Sequence, residues 1–223
     1  MSAVKRVIFD IETGSLPLER IKEIAPEFKE GSVKVGNLGL DKALEKINQA
    51  RNHHLATIQD RAALNAEYGQ VLAVGILRGD GTSAILHGEE KGILRQFWSR
   101  ALADAQGADR ITWVGFNCLG FDLPFLFRRS LLLGVEVPLW LRPDRRYWPT
   151  FFKDLMDLWK AGDWKAMISL DRFCKAAGLP GKNGDGAHFQ TLYEKDQDAA
   201  VAYLENDLKI TQQLSDHVHK AQP

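Results

Sequence analysis

Two carboxylates interrupt an apolar stretch near the start of the chain. The stretch is VIFDIET, residues 7–13, in which a single isoleucine separates Asp10 from Glu12. In a β-strand, residues two apart lie on the same face, about 6–7 Å apart along the strand. Two carboxylates placed in this way repel each other and resist loss of water unless a positive charge lies between them. The pattern therefore indicates a positively charged partner.

Two further acidic signals follow along the chain. GFNCLGFDLPFL, residues 115–126, places Asp122 between an apolar strand pattern and a predicted helix. Taken alone, a helix N-cap is the simpler interpretation of Asp122. In the last predicted helix, Tyr203 and Asp207 are four residues apart and therefore share one helical face. That spacing is common and carries little information by itself.

In this order, the three motifs together resemble those of the DEDD exonucleases, which have a ribonuclease H-like fold. Tyr203 matches the DEDDy branch, because the histidine branch would have histidine at or near this point and residue 202 is alanine. The chain most resembles the predicted 3′–5′ exonucleases related to the proofreading domain of family-B DNA polymerases. DLMDLW, SLDRFCKAAGLPGKNGDG and YLENDLKITQQL support the resemblance, which covers residues 4–14 and 69–215.

The resemblance implies a catalytic set and two divalent cations, Mg²⁺ or Mn²⁺. Asp10 would bridge both ions, Glu12 and Asp207 would complete the site on the side of the attacking water, and Asp122 would hold the other ion. Tyr203 would hydrogen-bond the attacking water. Two cations about 4 Å apart can activate water, stabilise the phosphate and neutralise the leaving oxygen. Oxygen ligands suit both kinds of ion.

The resemblance also implies that Thr13, Asn117 and Phe121 contact the substrate, the latter two at the terminal sugar and base. Packing and turn formation are equally good explanations of Asn117 and Phe121. Asp154 or Asp157 could be a carboxylate that lies next to the metal ligands without binding the metal itself. Solvation of a carboxylate at a strand end is the simpler interpretation of both.

Residues 127–153 combine aromatic and basic side chains. Trp140, Tyr147 and Trp148 lie among six basic residues, against two acidic ones. The six are Arg128, Arg129, Arg142, Arg145, Arg146 and Lys153. This mixture suits a single strand, on which guanidinium groups follow phosphates and rings stack on bases; a solvated basic surface is the alternative. Lys182 could contact a phosphate, but GLPGKNGDG lacks the spacing of a P-loop and a plain connection is favoured.

Hydrophobic periodicity predicts an α/β fold that would position these motifs. Strands are predicted at 4–12, 69–79, 82–88, 111–117 and 150–159, and helices at 90–105, 123–134, 168–177 and 197–220. This order predicts a mixed five-stranded sheet flanked by helices, as in the ribonuclease H-like fold. Apolar residues at helical spacing over 41–67 predict a helical insertion at about 16–68. We hypothesise that this insertion covers the substrate channel or binds a partner.

Composition limits the class of protein. A length of 223 residues suits a single exonuclease domain over 1–223 that includes the insertion. Because 29 basic residues balance 29 acidic ones, net charge neither indicates nor excludes a nucleic-acid partner. Two cysteines form no disulfide framework, and no stretch approaches transmembrane length. A cytoplasmic location without membrane contact is expected.

The resemblance therefore implies a metal-dependent 3′–5′ exonuclease, a phosphodiesterase that we expect to act at the 3′ ends of single-stranded DNA in preference to RNA. One alternative is an RNase D-like exoribonuclease. Another is a catalytically idle scaffold that binds nucleic acid or a partner; such a scaffold is expected to lack an acidic motif residue, and all four are present. No polymerase domain fits in this length, so any proofreading would act in trans, with a replication or repair protein as the candidate partner.

Overall fold

The computed structural model describes residues 5–107, 111–144, 147–181 and 188–221. Arg145, Arg146 and Lys182, which the sequence analysis names, lie outside the described residues. The chain divides into two compact units. One comprises Met1–Thr13 and Val71–Pro223, and the other comprises Gly14–Gln70.

A five-stranded sheet forms the centre of the first unit. Its strands are β1 (Lys5–Ser15), β2 (Gly69–Arg78), β3 (Ser83–His87), β4 (Ile111–Gly115) and β5 (Phe152–Asp154), in the order β3-β2-β1-β4-β5. β4 runs parallel to both β1 and β5, whereas β3 is antiparallel to β2. The predicted mixed sheet is therefore present. Because parallel strands end at the same edge of a sheet, the carboxyl ends of β1, β4 and β5 lie together.

Eight helices occur in the described part of the chain. They are α1 (Leu18–Ile24), α2 (Leu40–Asp60), α3 (Glu90–Gln106), α4 (Asp122–Leu133), α5 (Leu155–Lys160), α6 (Leu170–Ala176), α7 (Phe189–Lys195) and α8 (Gln197–Ala221). The four helices predicted after the insertion correspond to α3, α4, α6 and α8. Within these described ranges, none is long and apolar enough to cross a membrane.

β1 lies in the middle of the sheet and is apolar on both faces along most of its length. On one face, the ring of Phe9 packs against Trp113, with 5.7 Å between the ring centroids. On the other face, Ile8 belongs to a buried cluster that includes Leu208 of α8. Burial on both faces explains the continuous apolar stretch in the sequence.

The predicted fifth strand is wrong beyond Asp154. β5 stops at that residue, and the chain then forms α5. The Asp154 carboxylate accepts a hydrogen bond from the N–H of Met156 (2.8 Å), which caps the helix. This local cap ends a stretch whose apolar pattern alone suggests a longer strand. The sequence also does not predict α7, whose Phe189 is buried.

The second unit contains α1 and α2. The predicted insertion is helical, but α2 ends at Asp60 rather than near residue 67 and a short 3₁₀ turn, Ala62–Leu64, follows. No residue of α2 is buried, and Leu44 is 50% exposed. The other apolar residues of this helix face, Ile47, Leu55 and Ile58, are half-buried.

The two ends of the second unit lie side by side. The N–H of Leu16 donates to the carbonyl of Tyr68 (2.8 Å), and the side-chain amide of Gln70 donates to the carbonyl of Ser15 (3.0 Å). The chain therefore leaves β1 and returns to β2 at neighbouring points.

Candidate metal centre and active site

The two carboxylates of β1 lie on the face that α8 covers. Because side chains alternate along a strand, Asp10 and Glu12 share the face of Ile8, which packs in one cluster with Leu208. Asp207 directly precedes Leu208 on α8. Carboxylate oxygens of Asp10, Glu12 and Asp207 lie within 4.8 Å of one another. The fold therefore brings the first and third sequence motifs into one cluster.

This carboxylate cluster fits a divalent cation. Glu12 is 8% exposed and Asp207 is fully buried, so neighbouring water screens their charges poorly. Three like charges at this separation repel one another unless a cation or a proton lies among them. The cluster offers only carboxylate oxygens, which are the donors that Mg²⁺ and Mn²⁺ prefer.

Tyr203 lies one helical turn before Asp207. Its hydroxyl oxygen is buried and lies beside the Asp207 carboxylate. Burial raises the pKa of Tyr203 far above its usual value of 10.0, and the nearby carboxylates of Asp207 and Glu12 raise it further. The phenol therefore keeps its proton at neutral pH. The ring of Phe189 in α7 packs against it, with 6.1 Å between the ring centroids.

Asp122 is the first residue of α4 and lies beside β1. Its Oδ1 accepts a hydrogen bond from the N–H of Ile11 (3.2 Å), and only 3% of the residue is exposed. Burial raises the pKa of the Asp122 carboxyl well above 3.8, and the charge of Asp10 raises it further. Asp122 is thus close to Asp10, although it is outside the group of three carboxylates. The N-cap position of α4 belongs to Phe121, so the cap interpretation of Asp122 is wrong.

Asp154 anchors the loop that follows β4. Besides capping α5, its carboxylate accepts hydrogen bonds from the N–H groups of Asn117 (2.7 Å) and Leu119 (2.9 Å). Asn117 has a φ of +59°, a left-handed conformation that is uncommon outside glycine. Only 4% of Asp154 is exposed, so strand-end solvation is the wrong interpretation of this residue. By contrast, Asp157 is an exposed residue paired with Lys160 (3.2 Å).

The candidate substrate contacts are all half-buried. Asn117 and Phe121 belong to one turn, in which the carbonyl of Asn117 accepts hydrogen bonds from the N–H groups of Gly120 (3.1 Å) and Phe121 (2.9 Å). This turn leads directly into Asp122. Thr13 follows Glu12 on β1 and points to the opposite face of the strand. The turn-forming explanation of Asn117 is thus confirmed, while contact with substrate stays a prediction for all three residues.

The basic and aromatic segment 127–153 differs from its prediction at Arg129. Arg129 is 4% exposed and forms a two-point ion pair with Glu90, with N–O distances of 2.9 and 2.8 Å, so it is unavailable to a nucleic acid. Trp140 and Tyr147 are at least 70% exposed. Contact of this segment with a single strand stays a prediction.

No curated protein matches the chain. Among solved structures, it is similar to the family B DNA polymerase from the hyperthermophilic archaeon Pyrobaculum calidifontis, with 16% sequence identity and a TM-score of 0.59. The similar region covers 96% of this chain and 24% of the polymerase chain, so this chain spans about a quarter of the polymerase. The similarity shows the fold, which is the ribonuclease H-like arrangement predicted from the sequence.

A protein-family comparison gives a more specific result. The matched family is described as a predicted 3′–5′ exonuclease related to the exonuclease domain of PolB, and the match covers residues 51–212. This range begins inside α2 and contains Asp122, Tyr203 and Asp207; Asp10 and Glu12 precede it. Because most of the chain is matched, the chain belongs to this family of predicted 3′–5′ exonucleases related to the exonuclease domain of PolB.

Proposed function

We propose that the protein is a two-metal-ion 3′–5′ exonuclease that hydrolyses phosphodiester bonds at the 3′ end of single-stranded nucleic acid, with DNA preferred. The carboxylate cluster of Asp10, Glu12 and Asp207 carries this proposal, because three acidic side chains from β1 and α8 converge to within 4.8 Å. Family membership supports the 3′–5′ exonuclease activity. The cluster supports the dependence on metal ions.

The four motif carboxylates have distinct places in this proposal. Asp10, Glu12 and Asp207 would hold one Mg²⁺ or Mn²⁺ ion, and Asp122 would hold a second ion together with Asp10. Bound cations would supply positive charge to the attacking water and to the leaving oxygen. The hydrogen bond from the N–H of Ile11 holds the Asp122 carboxylate beside β1 before any ion binds. This arrangement reduces the reorganisation that binding requires.

Tyr203 orients the attacking water in this proposal. A phenol with a raised pKa cannot serve as a general base at neutral pH. Its buried hydroxyl, which lies beside the Asp207 carboxylate, can nevertheless donate or accept a hydrogen bond. A water molecule that enters the cluster would find this hydroxyl one helical turn from Asp207.

The turn before α4 would receive the terminal nucleotide. Asn117 and Phe121 would contact its sugar and base, and Thr13 would make a further contact from β1. The buried Asp154 carboxylate fixes the start of this turn. We also propose, from the sequence, a cytoplasmic location and a replication or repair protein as partner.

The direct test uses single-stranded DNA and RNA of one sequence, each labelled at the 5′ end, with Mg²⁺, Mn²⁺ or excess EDTA. We expect progressive shortening from the 3′ end and release of mononucleotides, faster for DNA than for RNA and abolished by EDTA. A block at the 3′ terminus should prevent degradation, whereas a block at the 5′ terminus should have no effect.

Two variants control this test. Asp10→Ala, purified in the same way, should be the most damaging single change, because Asp10 would serve both ions. Asp157→Asn alters an exposed carboxylate that is paired with Lys160, so its rate should match the parent rate. Full activity in EDTA would contradict the two-metal proposal. Cleavage of circular single strands would indicate an endonuclease, and faster degradation of RNA would favour an RNase D-like activity.

A further inference from the structure

Gly75 lies in β2 where α8 packs against the sheet. A Cβ atom at this position would lie 2.7 Å from Cδ1 of Leu208 and 3.0 Å from Cγ of Leu204. Both leucine side chains are fully buried. Ordinary carbon–carbon contacts are about 3.5–4.0 Å. The two leucines therefore approach the backbone of Gly75 more closely than they could approach a residue with a side chain.

The helix residues that approach Gly75 are neighbours of site residues. Tyr203 directly precedes Leu204, and Asp207 directly precedes Leu208. All four belong to the single continuous helix α8. Close-packed interiors leave little room for buried leucines to change rotamer. A side chain at position 75 would therefore displace α8, and the helix would carry Tyr203 and Asp207 away from β1.

We propose that Gly75 is a positioning residue for the carboxylate cluster. By omitting a side chain, it sets the distance between α8 and the sheet, and thereby the distance of Asp207 and Tyr203 from Asp10 and Glu12. Relief of a 2.7 Å contact requires a shift of about 1 Å, whereas metal–ligand distances tolerate only about 0.2 Å. This inference rests on the proposed function, because it assumes that the cluster binds metal.

A purely structural role for Gly75 makes a different prediction. In that case Gly75→Ala would lower the melting temperature, but the folded fraction would bind metal as the parent does. If Gly75 positions α8, the folded variant binds metal more weakly. Mn²⁺ affinity of the folded protein, measured by electron paramagnetic resonance, therefore separates the two roles without depending on catalysis.

The experiment compares Gly75→Ala with Gly79→Ala at a temperature at which circular dichroism shows both to be folded. Gly79 directly follows β2, and a Cβ there would meet only the carbonyl oxygen of Arg6, at an ordinary 3.5 Å. We expect Gly75→Ala to lose about 10- to 100-fold in Mn²⁺ affinity, the range typical of changes behind metal ligands. Gly79→Ala should match the parent.

A second substitution on the helix tests the cause. Leu208→Ala removes the side chain that makes the shortest contact with a Cβ at position 75. The double variant Gly75→Ala/Leu208→Ala should therefore recover most of the Mn²⁺ affinity, although it loses buried leucine packing and melts below the parent. Recovery of affinity together with lower stability cannot arise from a purely structural role. Continued weak binding in the folded double variant would overturn the inference.

Further outcomes separate this inference from the proposed function. A folded Gly75→Ala protein with parental Mn²⁺ affinity and parental nuclease rate would overturn the positioning role alone. A parent protein that binds no Mn²⁺ would contradict the proposed function itself. If Gly75→Ala does not fold, Leu208→Phe enlarges the same contact from the helix side. Weaker Mn²⁺ binding by folded Leu208→Phe supports the inference, and unchanged binding overturns it.

Discussion

At the scale of single residues, Tyr203 offers a way to separate catalysis from metal binding. Tyr203→Phe removes a hydroxyl that would hydrogen-bond the attacking water and leaves every carboxylate in place. Loss of that bond should cost about 1.5–3 kcal/mol, or roughly ten- to hundredfold in rate. Single-turnover hydrolysis of a short 3′-labelled DNA strand at saturating Mn²⁺ measures this loss. Mn²⁺ affinity should remain that of the parent.

Asp207→Ala is the matched comparison on the same face of α8. It removes a proposed metal ligand, so both its Mn²⁺ affinity and its rate should fall much further than those of Tyr203→Phe. If Tyr203→Phe matches the parent while Asp207→Ala is inactive, the metal site stands and the proposed role of the tyrosine is wrong. If both variants match the parent, the third motif lies elsewhere in the chain.

The raised pKa of Asp122 predicts pH-dependent metal binding. Burial and the nearby Asp10 favour the protonated carboxyl, so Asp122 stays protonated at pH values where an ordinary aspartate, with a pKa of 3.8, is ionised. A cation that binds there must displace this proton. Mn²⁺ affinity should therefore fall as pH decreases, beginning well above pH 3.8.

Calorimetry in buffers of different ionisation enthalpy would measure the protons released when Mn²⁺ binds. We expect release to be greatest below the raised pKa of Asp122 and to decrease in Asp122→Asn, which has no proton to lose at that position. Mn²⁺ affinity that stays constant as pH decreases would contradict the prediction, because a ligand with a raised pKa loses its charge as pH falls.

At the scale of elements, the loop between β4 and α4 depends on the buried Asp154 carboxylate. Asp154→Asn replaces one acceptor oxygen by an NH₂ group that faces backbone N–H groups. The buried N–H left without a partner should cost about 1–3 kcal/mol of stability. If the loop receives the terminal nucleotide, KM for DNA should also rise. Thermal denaturation and steady-state kinetics measure the two effects.

Asp157→Asn is the natural control for this loop prediction. Asp157 lies three residues later in α5 and is exposed, so both its stability and its KM should match those of the parent. If Asp154→Asn loses stability but keeps the parental KM, the turn with Asn117 has a structural role alone.

The local pattern of apolar residues and turns predicts most strands and helices. It fails where a single side chain ends a strand. The sequence predicts β1, β2, β3 and β4 because apolar residues and turns mark them clearly. It misses α5 because the apolar pattern continues past Asp154, and only the hydrogen bond from Met156 to that carboxylate shows that the strand has ended. The anchoring of Asn117 by Asp154 joins residues 37 positions apart, and no local pattern encodes such a contact.

At the scale of the whole molecule, the carboxylate cluster could be predicted because its residue types are unusual for their positions. Asp10 and Glu12 interrupt an apolar strand. Removing two carboxylates from water costs free energy, which a positively charged partner must compensate. Arg129 shows the opposite case. Its sequence context suggests an exposed basic side chain, yet in the fold Arg129 is buried and paired with Glu90. Composition alone cannot distinguish a basic side chain that is exposed to solvent from one that forms an ion pair inside the protein.

Deletion of the second unit tests whether the first unit suffices for metal binding. The proposed metal ligands and Tyr203 all belong to the first unit. Because Leu16 and Tyr68 are joined by a hydrogen bond, a short Asn-Gly turn can replace residues 17–67. We expect the shortened protein to fold and to bind Mn²⁺ as the parent does, but to degrade oligonucleotides more slowly. Degradation at the parental rate would contradict a role for this unit in the substrate channel.

The placement of Asp207 on α8 has a consequence for the protein during its synthesis. A ribosome produces Asp10 and Glu12 early, but their third partner emerges only after nearly two hundred further residues. Until α8 has been made and has packed against the sheet, the nascent chain lacks the third carboxylate of the cluster. Under the proposed function, hydrolysis therefore cannot begin before α8 is in place.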